Sequence, residues 1–443
     1  MTFILGLAKL KSIKVVKSTH FLIVKFYTMR QSQLFTKTTK EAPKDETSTN
    51  AQYLMRGGFI DKLGAGIYTF LPLGVRVHEK IKNIVREEMN KIGGQEILMP
   101  ALTPKENWVK TGRWENFDAL FKLQGHDKKD YALGATHEEV ITPLIKKFVF
   151  SHKELPTYVY QIQTKFRNEL RAKSGLIRGR EFSMKDLYSF HKTEDDLEKY
   201  YKTSKKAYFK IFKRCGLDKI TYLTFASGGA FSKYSHEFQT LSKTGEDTVY
   251  ICEKCKIAIN KEIIDEQKAC PECKNKDLKE EKAVEVGNIF KLKTKFSEAF
   301  DFKYADKDGK QKDVLMGCYG IGPSRIMGTI AEIYNDDRGI IWPEEIAPFK
   351  VHLISLKPRD EKVEVIKTAE KIYADLQKEG VEVLYDDRED IGPGAKFADS
   401  DLIGCPVRII ISEKTLAKES VEIKKRNSDG QELVKIKKLK NMF

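Results

Sequence analysis

Two short β-prone runs, QIQTKF and REFSM, flank a basic, glycine-containing segment, which predicts two antiparallel strands joined by a loop. Arg167 and Glu169 stand at alternate positions after the first run, and alternate strand residues point to the same face. Even spacing also relates Arg178, Arg180 and Phe182 at the other end. Arginine forks match phosphate oxygens and an aromatic ring stacks on a base, so ATP is the candidate ligand. A solvated, charge-rich hairpin is the alternative interpretation.

A glycine-rich turn further along the chain is a second element that could bind an anion. Gly317, Gly320 and Gly322 permit close approach of the backbone, and Arg325 opens the helix predicted after them. Helix N-termini bind anions because their N–H groups lack partners within the helix.

Four of the seven cysteines form two C-x-x-C pairs, Cys252 with Cys255 and Cys270 with Cys273. Two such pairs separated by fourteen residues can present four thiolates tetrahedrally, as Zn²⁺ prefers. All four ligand positions are then filled by sulfur, so the predicted zinc is structural. Four unrelated thiols are the alternative. Either interpretation indicates a reducing compartment rather than a disulfide framework.

Several predicted elements surround these residues and would position them. Residues 75–92 carry an apolar stripe at helical spacing, with Glu87 and Glu88 predicted to face away from it. A strand, QEILMPAL, follows and places Pro100 where an edge or interface tolerates its missing N–H. Thr136-His137-Glu138-Glu139 precedes an apolar helical run and has the pattern of a capping box.

The last hundred residues alternate strand and helix in the order VHLISL, a helix through Ile366 and Leu376, VEVLYDD, a short helix and VRIIIS. A final hairpin turns at Ser428-Asp429-Gly430. This pattern predicts a small α/β domain with a mostly parallel sheet.

The ordered string F-R-N-E, a loop and R-x-x-x-F resembles the second signature motif of class II aminoacyl-tRNA synthetases, and the surrounding sequence most resembles bacterial-type prolyl-tRNA synthetases. The likeness covers nearly the whole chain from Met29 onward. It implies an α+β catalytic domain, an antiparallel sheet with flanking helices, followed by an anticodon-binding domain. The helix over 75–92 and the strand with Pro100 resemble the first class II motif, which implies a homodimer through this region.

By this resemblance, Arg167 binds the α-phosphate and the substrate carboxylate, and Glu169 lies on the adenine side. Arg178 and Arg325 bind the γ-phosphate, and Phe182 stacks on adenine. The resemblance therefore makes Arg167 and Arg325 the catalytic residues, with Mg²⁺ bridging the phosphates of ATP.

The resemblance also places the T-x-E loop over the secondary ammonium of proline, whose two N–H donors require acceptors. The Thr136 hydroxyl and the Glu138 carboxylate supply them, while His137 is expected to take no part in catalysis. A Gly-Gly and Ser-His-Glu-Phe segment implies that His236 lies near the proline ring, although here five residues separate its two halves.

Most bacterial relatives insert an editing domain of well over a hundred residues between the second and third motifs, whereas this chain has about forty residues, 245–286, at that place. We therefore expect no cis-editing of mischarged alanine and predict a zinc-ribbon-like insertion instead. The predicted divisions are an N-terminal extension (1–28), a first catalytic segment (29–244), the insertion (245–286), a second catalytic segment (287–346) and the anticodon-binding domain (347–443).

The expected activity is that of a ligase that forms prolyl-adenylate from proline and ATP and transfers prolyl to the 3′ end of tRNA(Pro). A class II synthetase for another amino acid and a non-catalytic tRNA-binding paralogue are the alternatives. All three ATP-binding arginines are present, which argues against the paralogue, and the T-x-E loop favours a small cyclic amine over threonine.

Composition is consistent with this expectation without proving it. Eight Lys and Arg and no acid occur in the first forty residues, so the formal charge of +15 falls to +7 for the remaining 403, which is compatible with tRNA binding. No apolar run approaches the eighteen residues that a membrane helix needs, so a cytoplasmic protein is expected. Residues 1–28 are either an organelle presequence or the product of an upstream start.

Overall fold

The computed structural model describes residues 29–170, 172, 174–229, 231, 234–360 and 364–443, so the predictions for residues 1–28 lie outside it. Its α-helices are α1 (Thr49–Arg56), α2 (Pro72–Lys91), α3 (Lys105–Lys110), α4 (Arg113–Asn116), α5 (Glu138–Lys146), α6 (Glu194–Arg214), α7 (Lys295–Ala299), α8 (Pro323–Ile333), α9 (Val365–Lys378), α10 (Pro393–Ile403) and α11 (Glu413–Leu416).

Its strands are β1 (Met29–Arg30), β2 (Ile60–Gly64), β3 (Ile67–Phe70), β4 (Gln95–Glu96), β5 (Leu102–Pro104), β6 (Lys122–Gln124), β7 (Asp130–Leu133), β8 (Thr157–Phe166), β9 (Glu181–His191), β10 (Thr221–Ser227), β11 (Tyr234–Leu241), β12 (Asp247–Cys252), β13 (Ile257–Asn260), β14 (Lys279–Lys293), β15 (Lys303–Ala305), β16 (Gln311–Asp313), β17 (Leu315–Ile321), β18 (Asn335–Asp336), β19 (Gly339–Ile340), β20 (Val351–Ser355), β21 (Val383–Asp386), β22 (Val407–Ile411), β23 (Ser420–Lys425) and β24 (Gln431–Lys435).

A large, mostly antiparallel sheet lies at the centre of the catalytic region, in the order β11-β10-β13-β12-β14-β17-β9-β8-β4. Helices α2, α6 and α8 cover one face of it and share one apolar core with the strands. Alternation along β9 shows which face is which, because Leu187 packs in that core while Asp186 and Tyr188 point the other way. The predicted antiparallel hairpin is β8 with β9.

The predicted helix over 75–92 is α2, which begins three residues earlier because Pro72 has a backbone angle suited to the first turn. Its predicted apolar stripe is buried at Val77, Ile81, Ile84, Val85 and Met89. Glu88, however, does not face solvent as predicted. It is buried and accepts hydrogen bonds from Lys91 and Arg214 at 2.7 and 3.2 Å.

The predicted strand QEILMPAL is broken in the structure. Only β4 and β5 form at its two ends, and residues 97–101 join no strand. The Met99 N–H donates to the side chain of Gln161 at 3.0 Å rather than to a neighbouring strand, and Pro100 has no N–H to donate. One backbone bond, from the Ile97 N–H to the Tyr160 oxygen at 2.8 Å, and side-chain hydrogen bonds therefore replace the ladder that the sequence predicted.

The segment 245–286, predicted to be a zinc-ribbon-like insertion, is continuous with the large sheet. Strands β12, β13 and β14 are members of the large sheet, and β14 runs unbroken from Lys279 to Lys293 across the predicted boundary at residue 286. The cysteine-bearing segment is therefore part of the large sheet, because its strands pair with strands from distant parts of the chain, such as β10 and β17.

The C-terminal sheet has the order β1-β21-β20-β22-β23-β24, with β20, β21 and β22 parallel, as the alternation of strand and helix predicted. Its first strand is unexpected, because β1 lies at the start of the segment 29–244 that was assigned to the catalytic domain, yet it pairs with β21. Arg30 binds Glu370 of α9 at 2.6 Å, and the buried Gln31 lies 2.9 Å from the buried His352 ring. The first described residues therefore belong to the C-terminal domain.

Contacts between the two parts of the molecule are both charged and apolar, since Leu384 of β21 and Ile403 of α10 pack in the core beneath the large sheet. Arg76 of α2 binds Glu382 at 2.7 Å, and Arg426 binds Asp336 at 2.5 Å. Within the described residues, no helix is long and apolar enough to cross a membrane.

Candidate active site

A cavity of about 240 Å³ opens at the end of the β8–β9 hairpin, against β12, β14 and the start of α8. It brings together Arg167, Glu169, Arg178 and Arg325, four of the side chains that the sequence singled out. Three carboxylates absent from that prediction share the cavity, namely those of Glu246, Asp247 and Glu285.

Two of the three arginines are held by carboxylates in the cavity wall. Arg178 binds Glu169 at 2.8 Å and Glu246 at 2.7 Å. Arg325 donates to the backbone and side-chain oxygens of Glu285 at 2.8 and 3.3 Å. These acceptors fix the direction of each guanidinium before any ligand binds.

Arg167 differs from the other two. Among the described residues, the only hydrogen bond of its side chain is to the backbone oxygen of Ala135, at 3.4 Å, and its guanidinium carbon lies 5.2 Å from the centre of the Phe182 ring. Burial lowers the pKa of Arg167, and the neighbouring charge of Arg325 lowers it further. A cation that is partly desolvated and lacks a carboxylate partner favours binding of an anion at this point.

Arg180 does not join this group, although its spacing suggested that it would. Its guanidinium donates to the backbone oxygens of Glu169 and Ala65, at 3.1 and 3.2 Å. Arg178 and Arg180 both precede β9, so the strand alternation assumed for them does not apply. Arg180 secures the backbone of the loop.

The T-x-E loop lies on the face of the large sheet that carries Tyr188, whose hydroxyl accepts from the His137 N–H. The capping box that was the alternative interpretation of this loop does not form. Helix α5 begins at Glu138, and its N-cap residue His137 makes no side-chain cap. The Thr136 hydroxyl instead donates to Glu138 at 2.5 Å, and the Cys318 thiol donates to the other carboxylate oxygen at 3.2 Å. Glu138 has no exposed surface.

Arg113 in α4 is a site residue that reasoning from the sequence missed. Its buried guanidinium donates to Glu138 at 3.3 Å and to both oxygens of Glu139, at 3.0 and 3.2 Å. Burial raises the pKa of Glu139 to about 7, while Arg113 opposes that rise. Two adjacent glutamates before a buried helix require a nearby cation, which is the signal that could have identified Arg113.

A buried polar network supports this loop from below. The Lys165 ammonium contacts Asp186 and the His137 ring, each at 2.8 Å, and the His137 N–H donates to the Tyr188 hydroxyl at 3.1 Å. Burial, with help from Lys165, lowers the pKa of His137 to about 4, so its ring is neutral at physiological pH. These contacts agree with the expectation that His137 is not a catalyst.

His236 is not brought to this site. On β11 it points toward α6, where its ring lies 2.8 Å from the Tyr201 hydroxyl, while its neighbour Glu237 points to the opposite face. It lines a separate cavity of about 620 Å³ with Tyr201 and Phe225. The alternation of the strand therefore places His236 on the wrong face for contact with Glu138.

The four cysteines of the two C-x-x-C pairs come together, with all their sulfur atoms within 4.8 Å of one another. The Cys252 and Cys273 sulfurs are 3.6 Å apart. Zinc–sulfur bonds of about 2.3 Å place tetrahedral thiolates about 3.8 Å apart. The arrangement therefore fits one zinc ion.

Comparisons with known proteins agree with this geometry. The class II core domain of the G, H, P, S and T tRNA synthetases matches residues 121–334, and an anticodon-binding domain matches residues 350–443. The fold and the site thus define a class II tRNA synthetase. A proline–tRNA ligase of Wolbachia sp. subsp. Brugia malayi is 41% identical over 429 residues, covering 94% of this chain and 99% of its own.

A proline–tRNA ligase of Sulfurihydrogenibium is 36% identical over 563 residues, covering 93% of this chain and 99% of its own. The chain belongs to the proline–tRNA ligase family. The second alignment exceeds this chain's 443 residues by 120, so that relative contains a long stretch without a counterpart here. The short form of the family, without the long insertion, is confirmed.

Solved structures share the fold. The prolyl-tRNA synthetase of Giardia lamblia in complex with prolyl-adenylate superimposes with a TM-score of 0.74 at 22% identity, covering 88% of this chain and 74% of its own. The Cryptosporidium parvum enzyme, complexed with halofuginone and AMPPNP, gives 0.72 at 19% identity, with 88% and 75% covered.

Proposed function

We propose that this chain activates proline with ATP to form prolyl-adenylate and transfers the prolyl group to the 3′ end of tRNA(Pro). The observation that carries the proposal is the convergence of Arg167, Arg178 and Arg325 on one cavity, with Arg167 in contact with Ala135, the residue before the T-x-E loop. Family membership supplies the substrate, since the relatives are proline–tRNA ligases.

The first step needs no nucleophile from the protein, because the carboxylate of proline attacks the α-phosphate and pyrophosphate leaves. Arg167 lacks a carboxylate partner in the described residues and lies beside Phe182. We assign it to the α-phosphate and the proline carboxylate, where it offsets the negative charge that develops. Phe182 then stacks on adenine, and Glu169 accepts from the base.

The pyrophosphate end of ATP is assigned to Arg178 and Arg325. When ATP binds, Arg178 exchanges its bond with Glu246, and Arg325 its bond with the Glu285 carboxylate, for bonds with phosphate oxygens. Carboxylate oxygens are the protein ligands that Mg²⁺ prefers, so Glu285 is the residue best placed to bind Mg²⁺ when it neutralises those phosphates.

The proline ammonium is assigned to Glu138 and Thr136. Arg113 and Cys318 hold the Glu138 carboxylate in one orientation, so that a bound ammonium meets a fixed acceptor. His236 is left out of this pocket because of the face that it occupies. The catalytic residues of the proposal are Arg167 and Arg325.

Three further aspects of the proposal concern assembly and location. One structural Zn²⁺ binds Cys252, Cys255, Cys270 and Cys273, and metal analysis of purified protein should find one ion per chain. Leu98 and Leu102, in the region resembling the first motif, are 77% and 46% exposed, which supports a homodimer through that surface. The cytoplasmic location stays a prediction from the sequence.

Proline-dependent ATP–pyrophosphate exchange tests the proposal. We expect exchange with proline alone among the amino acids, and Arg167→Ala should lower it by orders of magnitude while the far-ultraviolet circular dichroism spectrum is unchanged. Arg359→Ala, at an exposed arginine of the C-terminal domain, is the control. Stimulation by another amino acid, or normal exchange by Arg167→Ala, would contradict the assignment, and a non-catalytic paralogue would show no exchange at all.

A further inference from the structure

Strand β12 connects the cysteine cluster directly to the nucleotide cavity. Its first residue, Asp247, lines the cavity together with the preceding Glu246, and its last residue, Cys252, belongs to the cluster. β12 pairs with β13 on one side, with Cys252 opposite Ile257, and with β14 on the other. One strand of six residues, about 20 Å long, therefore spans both sites.

At the cavity end, this strand contributes side chains that hold the site together. Glu246 binds Arg178 at 2.7 Å. Asp247 accepts from the side-chain amide of Gln239 at 2.7 Å, and the same amide donates to Glu237 at 2.9 Å. The Glu246 carboxylate thus orients an arginine that we assign to ATP, and the Asp247 carboxylate connects β12 to β11.

Strand β13 ends at the same place. Asn260, its last residue, donates to the Glu237 carboxylate at 3.1 Å. Glu237 is buried, so the position of its carboxylate depends on these amide donors. Both strands of the cysteine-bearing segment therefore terminate in one hydrogen-bonded group beside the cavity.

At the cluster end, β12 and β13 stay paired with β14 and β10, but the segments that carry three of the four cysteines, 253–256 and 264–278, join no strand. Residues 264–278, all of them described, contain turns and no helix or strand. Lys256 and Lys274, each directly after a C-x-x-C pair, have φ angles of +56° and +61°. The local apolar cluster is small, with Ile257 packed against the sulfur-bearing residues. An ion bound by four thiolates would supply the missing constraint.

We propose that the metal held by these cysteines positions the wall of the nucleotide cavity through β12 and β13. Glu246, Asp247 and Asn260 are then positioning residues for ATP binding, and the metal constrains the cysteine ends of β12 and β13. The inference rests on the proposed function, because it assigns the cavity to ATP. Loss of the metal raises the KM for ATP and leaves the KM for proline unchanged, since the T-x-E loop lies on other elements.

Two variants separate the metal from the strands. Cys273→Ser removes one ligand that is only half buried, and Asn260→Ala removes the β13 contact while leaving all four cysteines. Lys254→Ala, at an exposed lysine between the first two cysteines, is the matched control. For each full-length protein we would measure zinc content, both KM values in pyrophosphate exchange, and binding of a non-hydrolysable ATP analogue by calorimetry.

We expect Cys273→Ser to lose zinc and Asn260→Ala to keep it, with ATP affinity reduced several-fold in both and the KM for proline unaffected. Unchanged ATP affinity in the metal-free protein would overturn the proposal, and so would an equal rise in both KM values or an absence of metal from the wild type. If the wild type shows no exchange but binds the analogue only when zinc is present, the proposed function fails while the role of the metal is supported. The two failures can therefore be told apart.

Discussion

Arg113 offers the sharpest test of how the substrate loop is built. Its guanidinium lies within 3.3 Å of three oxygens from Glu138 and Glu139, two side chains without exposed surface. Arg113→Met keeps the volume and removes the charge. Deleting one partner of a buried ion pair costs about 3–5 kcal/mol, because the other charge stays buried without compensation.

The cost should depend on pH in a defined direction. Glu139 has a pKa of about 7 in the folded protein, above its unfolded value, so the stability linked to it is present at low pH and is lost as the pH rises toward 7. Without Arg113 that pKa moves higher and the loss continues above pH 7. Between pH 7 and 8 the variant should therefore lose up to about 1.4 kcal/mol more than the wild type.

Urea unfolding followed by tryptophan fluorescence measures this effect, since Trp108 lies 5.5 Å from the Arg113 guanidinium. Unfolding curves at pH 6, 7 and 8 should show the extra destabilisation growing with pH. The double variant Arg113→Met with Glu139→Gln should lose most of the pH-dependent component. A cost that is equal at all three pH values, or unaffected by Glu139→Gln, would refute the reasoning.

Other predictions concern the pH dependence of stability and the two faces of the sheet. Burial lowers the pKa of Lys185 to about 7, so its charged form opposes folding at low pH, and the stability of the protein should rise between pH 7 and 9. In thermal unfolding, Lys185→Met should reduce this dependence on pH, whereas Lys199→Met, at an exposed lysine, should not. Glu138→Gln should raise the KM for proline by about tenfold or more, because a hydrogen bond to a charged group contributes about 1.5–3 kcal/mol. His236→Ala should leave proline-dependent exchange near the wild-type rate, since the ring faces Tyr201. A large loss of exchange would show that His236 does contribute to the proline pocket.

Local patterns in the sequence predicted the elements whose side chains interact with near neighbours. The apolar stripe of α2 and the alternation of strand and helix in the C-terminal domain were predicted correctly, because helical and strand periods are visible within a few residues. The four cysteines also converged as their spacing indicated, since the ligand geometry of zinc is expressed in the C-x-x-C pairs.

Features set by distant pairing were not predictable in the same way. His236 faces α6 because of the register of β11, and a shift of one residue would have exchanged it with Glu237. Arg113 stands in a four-residue helix that is too short to show a period, and its role depends on two glutamates 25 and 26 residues away. The pairing of β1 with β21 joins residues more than 350 positions apart, and no local pattern carries that information.

The pairing of β1 with β21 means that the chain passes between the two sheets twice. Residues 34–48 lead from the C-terminal sheet to α1, and residues 341–350 lead back to β20. A cut in either connection would leave the other in place, and the ion pairs Arg76–Glu382 and Arg426–Asp336 would still join the two parts of the molecule.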